Sequence, residues 1–97
     1  MDDLRFEWDP AKAKLNIRKH GVAFEDAQTA FSDEHALIID DLEQVDDETR
    51  LVLVGMSAAL RVLVVVHVLA APDTIRIISA RKATKSERGS YAKGIQR

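Results

Sequence analysis

The 97-residue chain has no cysteine, four glycines, two prolines, and only one Trp, one Tyr and three Phe. Without cysteine there is neither a disulfide framework nor a thiolate metal site, which suits a reducing cytosol. The three histidines, His20, His35 and His67, have no paired spacing and no Cys to complete a ligand set, so no metal site is expected. The glycines form no phosphate-cradling loop, and no serine sits in a nucleophile elbow. The N-terminal MDDLRFEWDP lacks the charged-then-apolar pattern of an export signal, which points to a cytoplasmic protein. Repeats, linkers and low-complexity segments are absent, and a chain of this length makes one domain.

One long apolar run is present. Residues 51–71, LVLVGMSAALRVLVVVHVLAA, could span a bilayer by length. Arg61 near its middle would cost roughly 2.5–3.5 kcal/mol on insertion scales. The abundance of valine favours strands, so two strands joined by a turn around Gly55 to Leu60 explain the run better.

The formal net charge is only −2, but its distribution is uneven. Asp33 to Glu48 holds eight acidic residues and no Lys or Arg, whereas Thr74 to Arg97 holds seven basic residues and one acidic, Glu87. Charge runs are commonly solvated faces. The asymmetry also suits two surfaces, one for a phosphate backbone and one for a basic partner.

Periodicity sets out the elements. LRFEW, 4–8, alternates as a half-buried strand. WDPAKAKLNIRKHGV reads as a helix capped by Asp9, with Pro10 at its first position and Gly21 just past its end. It has no clean apolar stripe: Lys12, Asn16 and Lys19 share a face, with His20 beside them. A second helix is expected from about Ala23 to Phe31, with Phe24 and Phe31 in the core. HALIIDD, 35–41, reads as a strand and LEQVDDETR as a loop. Strands follow near Arg50 to Val54, Arg61 to Leu69 and Thr74 to Ala80, with a turn at APD, 71–73. Thr84 and Glu87 form a capping box that opens a last helix, ending near Gly94. The order β-α-α-β-β-β-β-α predicts an α+β fold, a small antiparallel sheet with two N-terminal helices and one C-terminal helix grouped on one side.

Strand period places Arg61, Leu63, Val65 and His67 on one face and Val62, Val64, Val66 and Val68 on the other. The all-valine face reads as core and the Arg61–His67 face as partly open. Ile75, Ile77, Ser79 and Arg81 fall on one face of the next strand. Arg50, Arg61, Arg81, Lys12, Lys19, His20, His67, Glu48 and Tyr91 thus sit in or beside structured elements. Arginine and lysine stabilise charge on phosphate oxygens, and His or another titratable group moves protons, so the set suits a phosphodiester. Each also has an ordinary structural reading. Asn16 and His20 can tie the helix to the sheet, His20 can cap helix carbonyls, His67 can be a hydrogen-bonded core residue, Arg50 can pair with Glu48 on the surface, and Tyr91 can simply pack.

The blocks FEWDPAKAKLNIRKHGVAFEDA, ETR, RVLVVVH and RIISARKATKSERGSY, taken in order from Phe6 to Tyr91, resemble the BrnT family of toxins from bacterial type II toxin–antitoxin pairs. The resemblance implies a RelE-like fold and a metal-independent endoribonuclease that cleaves mRNA and so inhibits translation. It also implies a BrnA-type antitoxin partner, through which alone the complex would touch DNA. Carried onto this chain, it points to Arg81, Arg61 and Arg50 as charge-stabilising groups. Glu48, His20, His67 and Tyr91 become acid–base candidates. Lys12, Lys19, Lys82, Lys85 and Arg88 become RNA-binding candidates. The alternative is a catalytically inactive binding module that only pairs with a DNA-binding antitoxin.

Overall fold

In the computed structural model, the backbone of residues 4–45 and 48–95 and the side chains of residues 4–39 and 50–94 are described. The elements are β1 (Arg5–Glu7), α1 (Pro10–His20), α2 (Phe24–Thr29), a short 3-10 turn (Ala30–Ser32), β2 (Leu37–Val45), β3 (Glu48–Met56), β4 (Val62–Ala71), β5 (Thr74–Lys82) and α3 (Lys85–Ile95). They form one five-stranded sheet of order β1-β5-β4-β3-β2.

The sheet is mixed. β2 to β5 are antiparallel neighbours, but β1 runs parallel to β5, with Phe6 opposite Ile75. This corrects the expectation of a purely antiparallel sheet. α1 and α2 carry the chain from β1 across the sheet to β2 at the opposite edge, and three antiparallel steps then bring β5 beside β1 in the same direction. The expected 42–50 loop is also corrected: β2 runs on to Val45, β3 starts at Glu48, and a register shift lies between Asp40 and Gln44. Polar composition hid these strand residues. The apolar run 51–71 is the β3–β4 hairpin, closed by Ser57 N–H donating to the Arg61 carbonyl at 2.8 Å. Among the described residues, no helix is long and apolar enough to cross a membrane.

The helices are not grouped on one side. α1 and α2 cover one face, where Phe24, Ala27 and Ala30 pack with Leu53, Leu63, Val65, Ile75, Ile77 and Ala80. α3 packs on the opposite face, where Tyr91 meets Val54, Val64 and Ala83. α3 covers only part of that face, and the uncovered part becomes a cleft.

α1 begins and ends as its sequence dictates. The Asp9 carboxylate accepts from Ala11 N–H at 2.8 Å, and Gly21 closes the helix at φ 68°. Asn16 is the one buried residue of α1. Its amide donates to the carbonyls of Val22 and Ala80, each at 2.8 Å, and its oxygen accepts from Ala80 N–H at 3.1 Å. β1 ends at Glu7, so the edge of β5 at Ala80 has no strand beside it. The Asn16 side chain supplies the donor and acceptor a strand would have given.

Candidate functional site

A cleft of about 460 Å³ opens on the α3 side of the sheet. Its floor consists of two rows of directly paired residues. One row runs Leu37, Val54, Val64, Arg81, and the next runs Ile39, Val52, Val66, Ser79. Ser86, Glu87 and Ser90 of α3 form a wall, and His20 from the end of α1 reaches the rim.

A register shift in β5 orients the polar end of both rows. Val66 pairs with Ser79 but His67 pairs with Ile77, so Ile78 is an extra residue on β5. A bulge of this kind reverses which face the following side chains occupy. Ile75 and Ile77 point into the helix-covered core, whereas Ser79 and Arg81 point into the cleft. The expectation that all four share a face is thereby corrected.

The expectation for the β4 faces is corrected in part: the Leu63–His67 face is closed, and the valine face is buried at Val64 and Val68 but half-buried at Val62 and Val66. Leu63, Val65 and His67 line the deep core under α2, and the His67 side chain is only 2 % exposed, with Phe31 stacked edge-on at 4.8 Å between centroids. Burial pushes His67 below its usual pKa, against a hydrogen bond to the Val65 carbonyl. Val64 and Val66 meanwhile form cleft floor. A run of valines reads as core because it is apolar, yet here part of it is the bottom of an open site.

Arg81 makes a two-pronged ion pair with Glu87, at 2.8 and 2.9 Å. Glu87 also accepts from Thr84 N–H at 2.7 Å, completing the expected capping box, while its own N–H donates to the Thr84 hydroxyl at 3.2 Å. The Arg81 guanidinium, helped by Thr84 N–H, holds the Glu87 carboxyl down at about 2. The bonds to Glu87 in turn raise the Arg81 pKa. In the unfolded chain Glu87 would protonate near the ordinary value of 4.5. Its contribution to stability is therefore complete above about pH 4.5 and is lost as the pH falls towards 2. Glu87→Gln is expected to flatten the acid limb of a stability–pH curve in that window, read by urea denaturation at each pH.

The remaining sequence-predicted residues fall into three groups. Lys12, Lys19 and His20 border a shallow groove of about 140 Å³ that reaches Ile78 and Ser79 and so adjoins the cleft. Arg50 pairs with Val68 in the next row along the cleft face, roughly 13 Å from the Arg81 row at about 3.3 Å per residue. Lys82, Lys85 and Arg88 are exposed near the start of α3, and Arg88 donates to the Ala83 carbonyl at 2.9 Å. Arg61 and Tyr91 are engaged elsewhere. Arg61 lies on the α2 side, bonded to Asp26 at 2.8 Å. The Tyr91 hydroxyl donates to Asp33, and burial together with that carboxylate pushes its pKa up to about 12. Neither is brought to the cleft with Arg81. The Glu48 side chain lies outside the described residues. Sequence reasoning did not assign Ser79, Ser86, Glu87 or Ser90 to the site. The i, i+4 spacing of Ser86 and Ser90 beside the capping-box Glu was the available signal.

Among the described residues, no three His, Cys, Asp or Glu side chains come together as a metal site. What the cleft offers is a fixed guanidinium, an imidazole at the rim, serine hydroxyls and a lysine-bordered approach. Such a set has the donors and the charge to bind and polarise an anionic ester.

Residues 8–87 match the family described as the ribonuclease toxin, BrnT, of type II toxin–antitoxin systems. The crystal structure of the Brucella abortus ribonuclease toxin BrnT superposes with a TM-score of 0.62 at 25 % identity, covering 84 % of this chain and 99 % of that one. No curated protein sequence matches significantly. With four-fifths of its length matched by the family and its fold shared with a solved member, the chain belongs to the BrnT family of ribonuclease toxins of type II toxin–antitoxin systems.

Proposed function

We propose that this chain is a metal-independent endoribonuclease that cleaves mRNA by attack of a 2′-OH on the adjacent phosphate. It arrests translation in the cytoplasm and is neutralised by a BrnA-type antitoxin whose DNA-binding half alone contacts DNA. The RelE-like relation of the fold belongs to the same reading. The observation that carries it is the Ile78 bulge, which turns Arg81 out of the core and into a cleft bordered by His20 and approached past Lys12 and Lys19.

In this mechanism the attacking oxygen, the phosphorus and the leaving 5′-oxygen are held in line. Arg81 donates to the phosphoryl oxygens as negative charge builds in the transition state. His20 is the best-placed general base or acid, since it alone of the acid–base candidates shares the Arg81 cleft among the described side chains. Proton removal from the 2′-OH and return to the 5′-oxygen balance, giving a 2′,3′-cyclic phosphate and a free 5′-OH. Lys12 and Lys19 hold phosphates of the flanking strand, with Arg50, Lys82, Lys85 and Arg88 as outer contacts. Arg61, His67 and Tyr91 hold the scaffold.

Purified chain freed of antitoxin should degrade single-stranded RNA. The double variant Lys12→Ala/Lys19→Ala should bind uncleavable RNA more weakly. The slope of log affinity against log salt should fall by about 1.4, at roughly 0.7 per lost phosphate contact. An unchanged slope would remove both lysines from the RNA path. A second reading, a binding module without turnover, draws on the Glu87 carboxylate that occupies two prongs of Arg81. Absence of any cleavage by the folded, partner-free protein would favour it.

A further inference from the structure

We propose that the valine floor of the cleft is a subsite for one unstacked RNA base, with the phosphate attached to that nucleotide on Arg81; this rests on the ribonuclease reading above. A phosphate backbone has no use for an apolar floor, yet the floor beside Arg81 is wholly aliphatic. Val64 and Val54 continue the Arg81 row but are buried in the cluster with Tyr91, so the open floor is the half-buried Val66 and Val52 of the Ser79 row. Strands lie about 4.8 Å apart, so this floor extends from roughly 5 to 10 Å from β5, the direction in which a nucleoside reaches from its phosphate. A base has two apolar faces and a polar edge. The paired valines present a flat surface to the face, and Ser86 and Ser90 on the α3 wall present hydroxyls, each able to donate or accept, to the edge.

The charge pattern favours this occupant. The cation Arg81 stands at one end of the floor, and the Lys12–Lys19 groove joins the cleft through His20 and Ser79. A single strand thus has its phosphate contacts at the β5 end of the floor, on Arg81 and along the Lys12–Lys19 groove. The subsite makes the enzyme selective for single-stranded RNA, because a base in a duplex cannot lie on the floor while it is paired.

The test uses a short 2′-O-methyl oligoribonucleotide, which lacks the attacking hydroxyl, and matched oligomers with one abasic residue stepped through each position. Methyl resonances of the partner-free protein are followed by NMR. The intact oligomer should shift the Val52 and Val66 methyls. One abasic position should weaken binding about tenfold and abolish those shifts. Val66→Lys, on the half-buried floor, should weaken the intact oligomer to the level of that abasic one and remove the position dependence, while leaving the NMR fingerprint of the fold intact. Binding with unmoved valine methyls, or equal affinity for every abasic oligomer, would overturn the subsite and leave the ribonuclease reading standing. No RNA binding and no cleavage would overturn both. If the valine methyls respond to the antitoxin and not to RNA, the floor is an antitoxin surface and the subsite is wrong.

Discussion

Arg81→Ala is expected to lower RNA cleavage by on the order of 10²–10³, the cost of losing one preorganised donor to a developing oxyanion. The loss should appear mainly in kcat, because the interaction strengthens only as charge builds on the phosphoryl oxygens. Arg81→Lys should recover only part of it. A lysine keeps the charge but not the planar fork that fits both Glu87 and a phosphate. Folding is a foreseeable complication, since Arg81 also pairs with Glu87. That pair is partly exposed, and Glu87 keeps its bond to Thr84 N–H without Arg81. The stability cost should therefore be about 1 kcal/mol or less, far too small to empty the folded state. Equal melting temperatures with unequal turnover would assign the effect to chemistry. Unchanged turnover would take Arg81 out of the site.

Asn16→Ala is expected to produce the largest loss of stability of any single polar substitution. It strands three buried backbone groups: the carbonyls of Val22 and Ala80 and the N–H of Ala80. Unsatisfied buried groups cost about 1–3 kcal/mol each, so a total near 3 kcal/mol or more is expected. In a domain of this size that lowers the melting temperature by on the order of 12 °C or more. Asn16→Asp should do no better. A carboxylate can accept from Ala80 N–H but cannot donate to two carbonyls. Calorimetry of both variants decides the matter, and a shift below a few degrees would mean that water replaces the amide. Because Ala80 lies between Ser79 and Arg81, the same variants should also loosen the cleft. The lysine–amide–imidazole face of α1 is thus divided in purpose. Asn16 turns inward and ties the helix to β5, while Lys12, Lys19 and His20 border the groove.

These two residues mark where the sequence was informative and where it was not. Local signals read well, because their causes lie within a few residues. Asp9, Pro10 and Gly21 bounded α1, and Thr84 with Glu87 opened α3. The α+β class, the order of elements and the β3–β4 hairpin followed from period and turn chemistry. Features set by distant partners were not legible. That Asn16 could tie α1 to the sheet was readable from its polar face, but nothing near it names Ala80, 64 residues away, as the partner. β1 joins β5 in parallel because the helices carry the chain to the far edge and three antiparallel steps bring it back. Strict alternation along TIRIISARK hid the one-residue insertion at Ile78, and that insertion decides whether Arg81 is core or cleft. On β4 the alternation sorted the faces correctly, but apolar composition alone could not tell that the valine face is core at Val64 and cleft floor at Val66. The candidate site was accordingly half legible: Arg81, His20, Lys12 and Lys19 gather around the cleft and its groove, whereas Arg61, His67 and Tyr91 are engaged away from it.

The measurement that bears most directly on the central claim is the chemistry of the RNA ends made by the purified, partner-free chain in the presence of a metal chelator, wild type beside Arg81→Ala. The wild type should cleave, leaving a 2′,3′-cyclic phosphate on one product and a free 5′-OH on the other, and the variant should lose nearly all of both. Intact RNA, products ending in a 3′-OH, or equal cleavage by the two proteins would contradict it.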